Sequence, residues 1–125
     1  MAKKTPRQRV IKRLDDVTSK IIRIRDGACV QCGSTENLTN GHVFSRRHYA
    51  TRWDIMEDGN CHTQCWGCNY KHSYDNYTYY KWYQDKFGVE KFEQLRSEYD
   101  QTCKRSNAEL EEMYQKYFKL YKEIK

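Results

Sequence analysis

The chain has 125 residues, room for one domain and not for two, and with 38% apolar and 32% charged residues and a mean hydropathy of −1.11 it has material for only a thin apolar core. No stretch approaches the roughly 20 apolar residues of a membrane span, and Met-Ala-Lys-Lys-Thr-Pro lacks the apolar segment of a secretory signal, which points away from membrane and secreted classes and toward the cytoplasm. The formal charge of +6 is concentrated at one end: residues 1–25 carry nine Lys and Arg against Asp15 and Asp16, while the rest of the chain is close to neutral.

Thr5 followed by Pro6 reads as a helix cap with proline in the first turn, and Gly27 as its stop. Between them Val10, Leu14, Val17, Ile21 and Ile24 recur at helical spacing, a narrow apolar seam flanked by cations that include Arg9, Lys12 and Arg13. Such a cationic helix favours phosphate backbones through counterion release, whatever the base sequence; a solvated face is the plainer reading. Residues 28–75 have Cys, His, Asn, Gly and Trp without helical periodicity. Beyond them Tyr79, Trp82, Tyr83 and Phe87 form one helical stripe ending at Gly88, and Phe92, Leu95, Tyr99 and Cys103 form another. The Tyr-rich run Tyr70–Tyr83 reads as amphipathic core with hydroxyls reaching water rather than as a base-stacking platform. A last helix carries the seam Leu110, Met113, Tyr117, Leu120 and Ile124 after a Ser106 or Asn107 cap. The first and last seams can pair within the chain or across a homodimer.

Six cysteines in a reducing compartment point to metal rather than disulfides. Cys29-Val-Gln-Cys32 and Cys65-Trp-Gly-Cys68 are two Cys-x2-Cys knuckles, each able to present two thiolates to one tetrahedral ion, with Gly33 and Gly67 easing the turns. Four sulfurs close the shell, so the expected zinc is structural. Cys61 and Cys103 read as buried small residues. His48 stands among Arg46, Arg47 and Arg52, a group suited to a DNA backbone.

Between the knuckles lie Asn40-Gly41-His42, Ser45-Arg46-Arg47-His48 and Asn60-Cys61-His62-Thr63-Gln64-Cys65, followed by Cys68-Asn69. This ordered set resembles an HNH (His-Me finger) endonuclease with zinc knuckles, and it is similar to the lambdoid-phage NinG (Rap) recombination proteins over about residues 28–95. The resemblance implies an α+β, mostly helical chain: a basic helix (1–27), a zinc-stapled ββα-metal finger (28–75) and a helical part (76–125). It implies metal-dependent cleavage of DNA phosphodiesters, on branched recombination intermediates such as Holliday junctions, in a phage-encoded protein of the bacterial cytosol. By the same resemblance His42 is the general base, Asn60 orients it through its ring or the loop backbone, and Asn69 is a ligand for catalytic Mg²⁺ or Mn²⁺. His72 and Lys71 are then phosphate contacts. Many such fingers carry an acidic metal ligand just before the catalytic His, where this chain has Gly41. The second ligand is therefore unassigned, with Asp54, Asp58 and Asp75 as candidates. That departure also keeps open a non-catalytic zinc-containing DNA-binding or recombination-accessory module, and a purely structural interaction protein is the third reading.

Overall fold

The computed structural model describes residues 3–125. Its elements in chain order are α1 (Pro6–Asp26), β1 (Leu38–His42), α2 (Tyr49–Arg52), β2 (Cys61–Cys65), α3 (Trp66–His72), α4 (Asn76–Phe87), α5 (Val89–Asp100) and α6 (Asn107–Ile124). The architecture is α+β and mostly helical, with one two-stranded antiparallel ribbon running straight into α3. No helix among the described residues is long and apolar enough to cross a membrane.

Local chemistry fixes the ends of the long helices. Thr5 Oγ1 accepts from Gln8 N at 3.1 Å while Gln8 Oε1 accepts from Thr5 N at 2.8 Å, a reciprocal cap that satisfies two orphan donors of α1. Gly27 stops the helix in the left-handed region at φ 73°, and its N–H donates to the Arg23 carbonyl. Ser106 and Glu109 repeat the reciprocal cap at the start of α6.

The two amphipathic seams find each other within the chain. Val10, Leu14, Val17 and Ile21 of α1 bury against Leu110 of α6 and against Trp53, and Met113, Tyr117 and Leu120 pack on them. The faces that would have served a homodimer are thus covered by one another. α1 is buried on a second side as well: Thr18 and Ile22 are fully buried where the helix meets the ribbon, and Thr63 Oγ1 donates to the Ile22 carbonyl at 3.1 Å.

A second core lies on the other side of the ribbon, where Val43 and Phe44 pack against Tyr79 and Tyr83 of α4 and Phe92 and Leu95 of α5. The hydroxyls of the two core tyrosines do not reach water as expected. Tyr79 donates to the Gly41 carbonyl at 2.8 Å and Tyr83 to the Asp58 carbonyl, so both tie α4 to the ribbon and its loop. Two further expectations are corrected. α5 ends at Asp100, which leaves Cys103 in the connection before α6. The middle segment holds the short helix α2 between the strands, and α3 after them, where a helix was expected. Gly33 adopts φ 79°, which a Cβ would disfavour, whereas Gly67 sits in α3 with no such backbone requirement.

Candidate metal centre and histidine cleft

The first knuckle is a tight turn in which Gly33 N donates to the Cys29 carbonyl at 2.9 Å and Cys29 N to the Ser34 carbonyl at 2.8 Å. The second is the start of α3, with Cys65 at the cap position and its Sγ accepting from Cys68 N at 3.4 Å. Residue Cys65 also ends β2, paired with Leu38, so the ribbon itself delivers the second knuckle to the first. The sulfurs of Cys29, Cys32, Cys65 and Cys68 all lie within 4.8 Å of one another, and Cys32 and Cys65 are 3.6 Å apart. A zinc with sulfur ligands at about 2.3 Å in tetrahedral array spaces them by roughly 3.8 Å. The four cysteines therefore fit one structural zinc.

The electrostatics agree. Burial works against the Cys29 thiolate, yet hydrogen bonds from the backbone at Cys65, Cys32 and Gln31 bring that thiol down to about 7. Cys68 is pushed far up, by burial first and then by its three sulfur neighbours, influences that a bound cation would offset. Among the described residues this is the one group of three or more His, Cys, Asp or Glu side chains close enough to share an ion. Cys61 is fully buried outside it, its thiol pushed up by burial to about 12.

On the other side of the ribbon an open cleft of about 890 Å³ is lined by His42 at the end of β1, Asn40 beside it, Asn69 and His72 of α3, Arg46 and Arg47 of the following loop, and Asp15 and Asp16 of α1. His42 Nε2 stands 2.9 Å from the Arg52 carbonyl, which only accepts, so Nε2 carries the proton and Nδ1 keeps its lone pair. Nδ1 has no protein partner and is not sealed from solvent. Burial, the largest influence, lowers the ring's pKa to about 4 against the opposing pull of the Arg52 carbonyl and Asp15, which keeps it neutral near pH 7.

Asn69 is fixed by a similar donor count. Thr39 Oγ1 donates its one proton to the Gln64 carbonyl at 2.8 Å and so accepts from Asn69 Nδ2 at 3.0 Å, which leaves Asn69 Oδ1 as a free acceptor at the cleft. An amide oxygen suits a hard divalent cation. Asp54 and Asp58, two of the acidic candidates, line a different pocket with Lys91 and Glu98, and Asp75 caps α4, so none of the three joins His42. The cleft carboxylates come from α1 instead.

Asn60 is completely buried, and its side-chain hydrogen bonds go to the backbone and not to the His42 ring. Its Oδ1 accepts from Phe44 N at 2.8 Å, and its Nδ2 donates to the Phe44 carbonyl at 2.9 Å and the Thr51 carbonyl at 3.2 Å. It acts on the loop backbone, clamping the segment after His42 to α2. α2 is pinned from the opposite side by Asp15, whose carboxylate accepts from Arg52 Nε at 3.0 Å, Arg52 Nη2 at 2.7 Å and Trp53 Nε1 at 2.7 Å. Arg52, expected at a phosphate, is paired with Asp15, and the carbonyl that holds His42 belongs to a doubly anchored turn. Asp15 escaped the sequence reading. Its one signal is a carboxylate beside the apolar seam of an otherwise cationic helix.

The other histidines make contacts within the fold. His72, expected at a phosphate, donates Nε2–H to the Val43 carbonyl at 2.9 Å and so braces the end of β1; its Nδ1 is buried without a partner among the described residues, and burial lowers its pKa. His62 is buried with Nε2 2.7 Å from the Gly59 carbonyl and Nδ1 facing Arg25 at 3.3 Å, amid the rings of Trp82, Tyr83 and Phe87. His48 stacks on Tyr99 at 4.0 Å and bonds its carbonyl at 2.7 Å.

The cations divide into inward and outward sets. Arg25 bonds Asp26 and the carbonyls of Ile55, Met56 and Cys61, tying α1 to the ribbon. Arg13 pairs with Glu111 of α6 at 2.9 Å and lies over the Tyr114 ring. Lys12 pairs with Asp16 at 3.2 Å and Lys71 with Asp75 at 3.9 Å, both exposed, and Arg9 bonds the Lys4 carbonyl at the surface. Arg46 and Arg47 are exposed where they line the cleft, with no acidic partner among the described residues.

No curated protein and no solved structure matches the chain. A family model described as Bacteriophage Lambda NinG protein matches residues 1–125, in agreement with the resemblance read from the knuckles and the residues between them. The chain belongs to the bacteriophage lambda NinG family.

Proposed function

We propose that this protein is a metal-dependent DNA endonuclease that hydrolyses phosphodiester bonds, acting on branched recombination intermediates such as Holliday junctions. The observation that carries the reading is His42: an imidazole whose Nε2–H is held by the Arg52 carbonyl, which leaves the Nδ1 lone pair unused, in a cleft that Asn69 also lines. Nδ1 is placed to take a proton from an attacking water, Arg46 and Arg47 to hold phosphate, and Asn60 and Asp15 to keep the imidazole aimed. A divalent cation held through Asn69 supplies charge neutralisation at the phosphate when bound. The ribbon followed by α3, with four cysteines at their junction that fit a structural zinc, supports the HNH-type assignment. If one cleft cuts one strand, symmetric resolution of a junction requires two copies, joined through a surface other than the α1 and α6 seams.

A non-catalytic DNA-binding or recombination-accessory module is favoured by one observation. A Cβ at Gly41 would lie 2.0 Å from Gln64 Oε1, so the position of the acidic ligand in related fingers is filled here by Gln64. Cleavage of matched junction, flap and duplex DNAs with and without Mg²⁺ or Mn²⁺, for wild type beside His42→Ala, separates the two. The nuclease reading expects cutting that needs both the cation and His42; binding with no cutting in any cation supports the module.

A further inference from the structure

The Tyr-rich run does two jobs. Tyr79 and Tyr83 are core, but Trp66, Tyr70, Tyr74 and Tyr77 are 63%, 58%, 70% and 71% exposed. Trp66 and Tyr70, one helical turn apart on α3, stack on each other at 5.2 Å with their planes within 9° of parallel, and Tyr74 continues the row at 5.6 Å from Tyr70 with its plane turned by 68°. Asn69 and Ser73, each three residues after a member of the row, line the histidine cleft, so the row forms the cleft's outer shoulder. The residues between its members are Gly67, Cys68, Asn69, Lys71, His72 and Ser73, with no Leu, Ile, Val or Met among them.

We propose that Trp66, Tyr70 and Tyr74 form a stacking ladder for unpaired bases of single-stranded DNA next to the cleft. The outer faces of the stacked Trp66–Tyr70 pair and the exposed Tyr74 ring suit unpaired bases, and stacking tolerates any base sequence. Lys71 on the ladder and Arg46 and Arg47 across the cleft provide the charge for the accompanying backbone. The cations beside the rings favour a nucleic-acid strand as the occupant. The proposal rests on the nuclease reading only for its purpose: it makes a single-stranded segment beside the scissile phosphate the feature recognised.

The test measures binding of an oligothymidylate of about ten nucleotides in buffer without divalent ions, by Trp66 fluorescence and by anisotropy of a labelled strand. Tyr70→Ala and Tyr74→Ala should each weaken binding roughly tenfold, Tyr70→Phe and Tyr74→Phe should match wild type, and Tyr70→Leu should behave like alanine. An abasic strand of the same length should bind weakly and equally to all variants. Because these side chains are exposed, one zinc per chain and unchanged circular dichroism confirm that the variants fold. Equal affinity of wild type and the alanine variants for oligothymidylate would overturn the proposal. So would self-association of the wild type, seen by sedimentation and lost in the alanine variants, since the ladder would then belong to a second copy. Aromatic-dependent binding without any cutting would uphold the ladder and refute the nuclease; undiminished cutting with ladder-independent binding would do the reverse.

Discussion

Asp15 sits in the most basic segment of the chain, yet three donors from α2 and Trp53 converge on it, and both it and Arg52 are mostly shielded from solvent. Removing the carboxylate strands a shielded guanidinium and an indole N–H, a loss that typically costs several times more than an exposed pair. Asp15→Ala should lower the unfolding free energy by about 2–3 kcal/mol in chemical denaturation. A change within about 0.5 kcal/mol would mean the clamp is not what holds α2. His62 makes a pH prediction with a definite sign. Burial, the main influence, lowers its folded pKa to about 4, while an unfolded histidine takes up its proton near 6.5. The unfolded state therefore binds more protons between those values, and stability present above pH 6.5 is lost as the pH falls toward 4. His42 acts with the same sign, so His62→Gln should show a reduced, not abolished, loss between pH 7 and pH 5; equal losses in the two proteins would contradict the assignment. At this scale the sequence exposed the residue types and hid their partners. The four cysteines were legible from spacing, because a knuckle is local. Arg52 and His72 were not, since their partners Asp15 and Val43 come from other elements, tens of residues away.

The element ends were legible for the same reason of locality. Thr5, Gly27, Ser106 and Gly88 act within one turn, and the apolar periods of α1 and α6 state which faces are buried. α2 and α3 are too short to show a period, and Ile22 could not be told from an exposed residue until the ribbon lay against it. The Tyr-rich run mixes two faces, one core and one exposed, that a count of aromatics merges. α1 itself is less available to DNA than its charge implies, because Arg25 faces inward and Arg13 is shared with Glu111 and Tyr114. Two double-sided comparisons follow from that division. Changing Arg46 and Arg47 to Gln should lower the slope of log affinity against log salt by about 0.9 per lost phosphate contact on duplex DNA. Arg13→Gln should leave the slope where it was, while Arg9 and Lys12, exposed with only surface partners, fall between. Equal slopes for wild type and the Arg46/Arg47 variant would remove the cleft mouth from the DNA interface.

For the whole molecule, two small apolar clusters flank a ribbon whose far end is gathered by four cysteines. With so little apolar material, metal binding should supply part of the folding free energy. Cys65→Ser should lower zinc content and unfold the ribbon and α3, measured by metal analysis and by loss of near-ultraviolet circular dichroism; a fully folded, zinc-free variant would contradict the staple. The same ribbon carries His42 on its other end, which links the metal centre to the cleft mechanically. The central claim is that His42 is the base of a phosphodiester hydrolase, and the most direct measurement is the single-turnover rate of strand cleavage on one DNA junction in Mg²⁺ or Mn²⁺. Wild type and His42→Ala are compared at protein concentrations that saturate the DNA equally. The account predicts equal binding and a rate lower by about 10²–10⁴ in the variant. Cleavage by His42→Ala at the wild-type rate, or no cleavage by wild type in either cation, would contradict it.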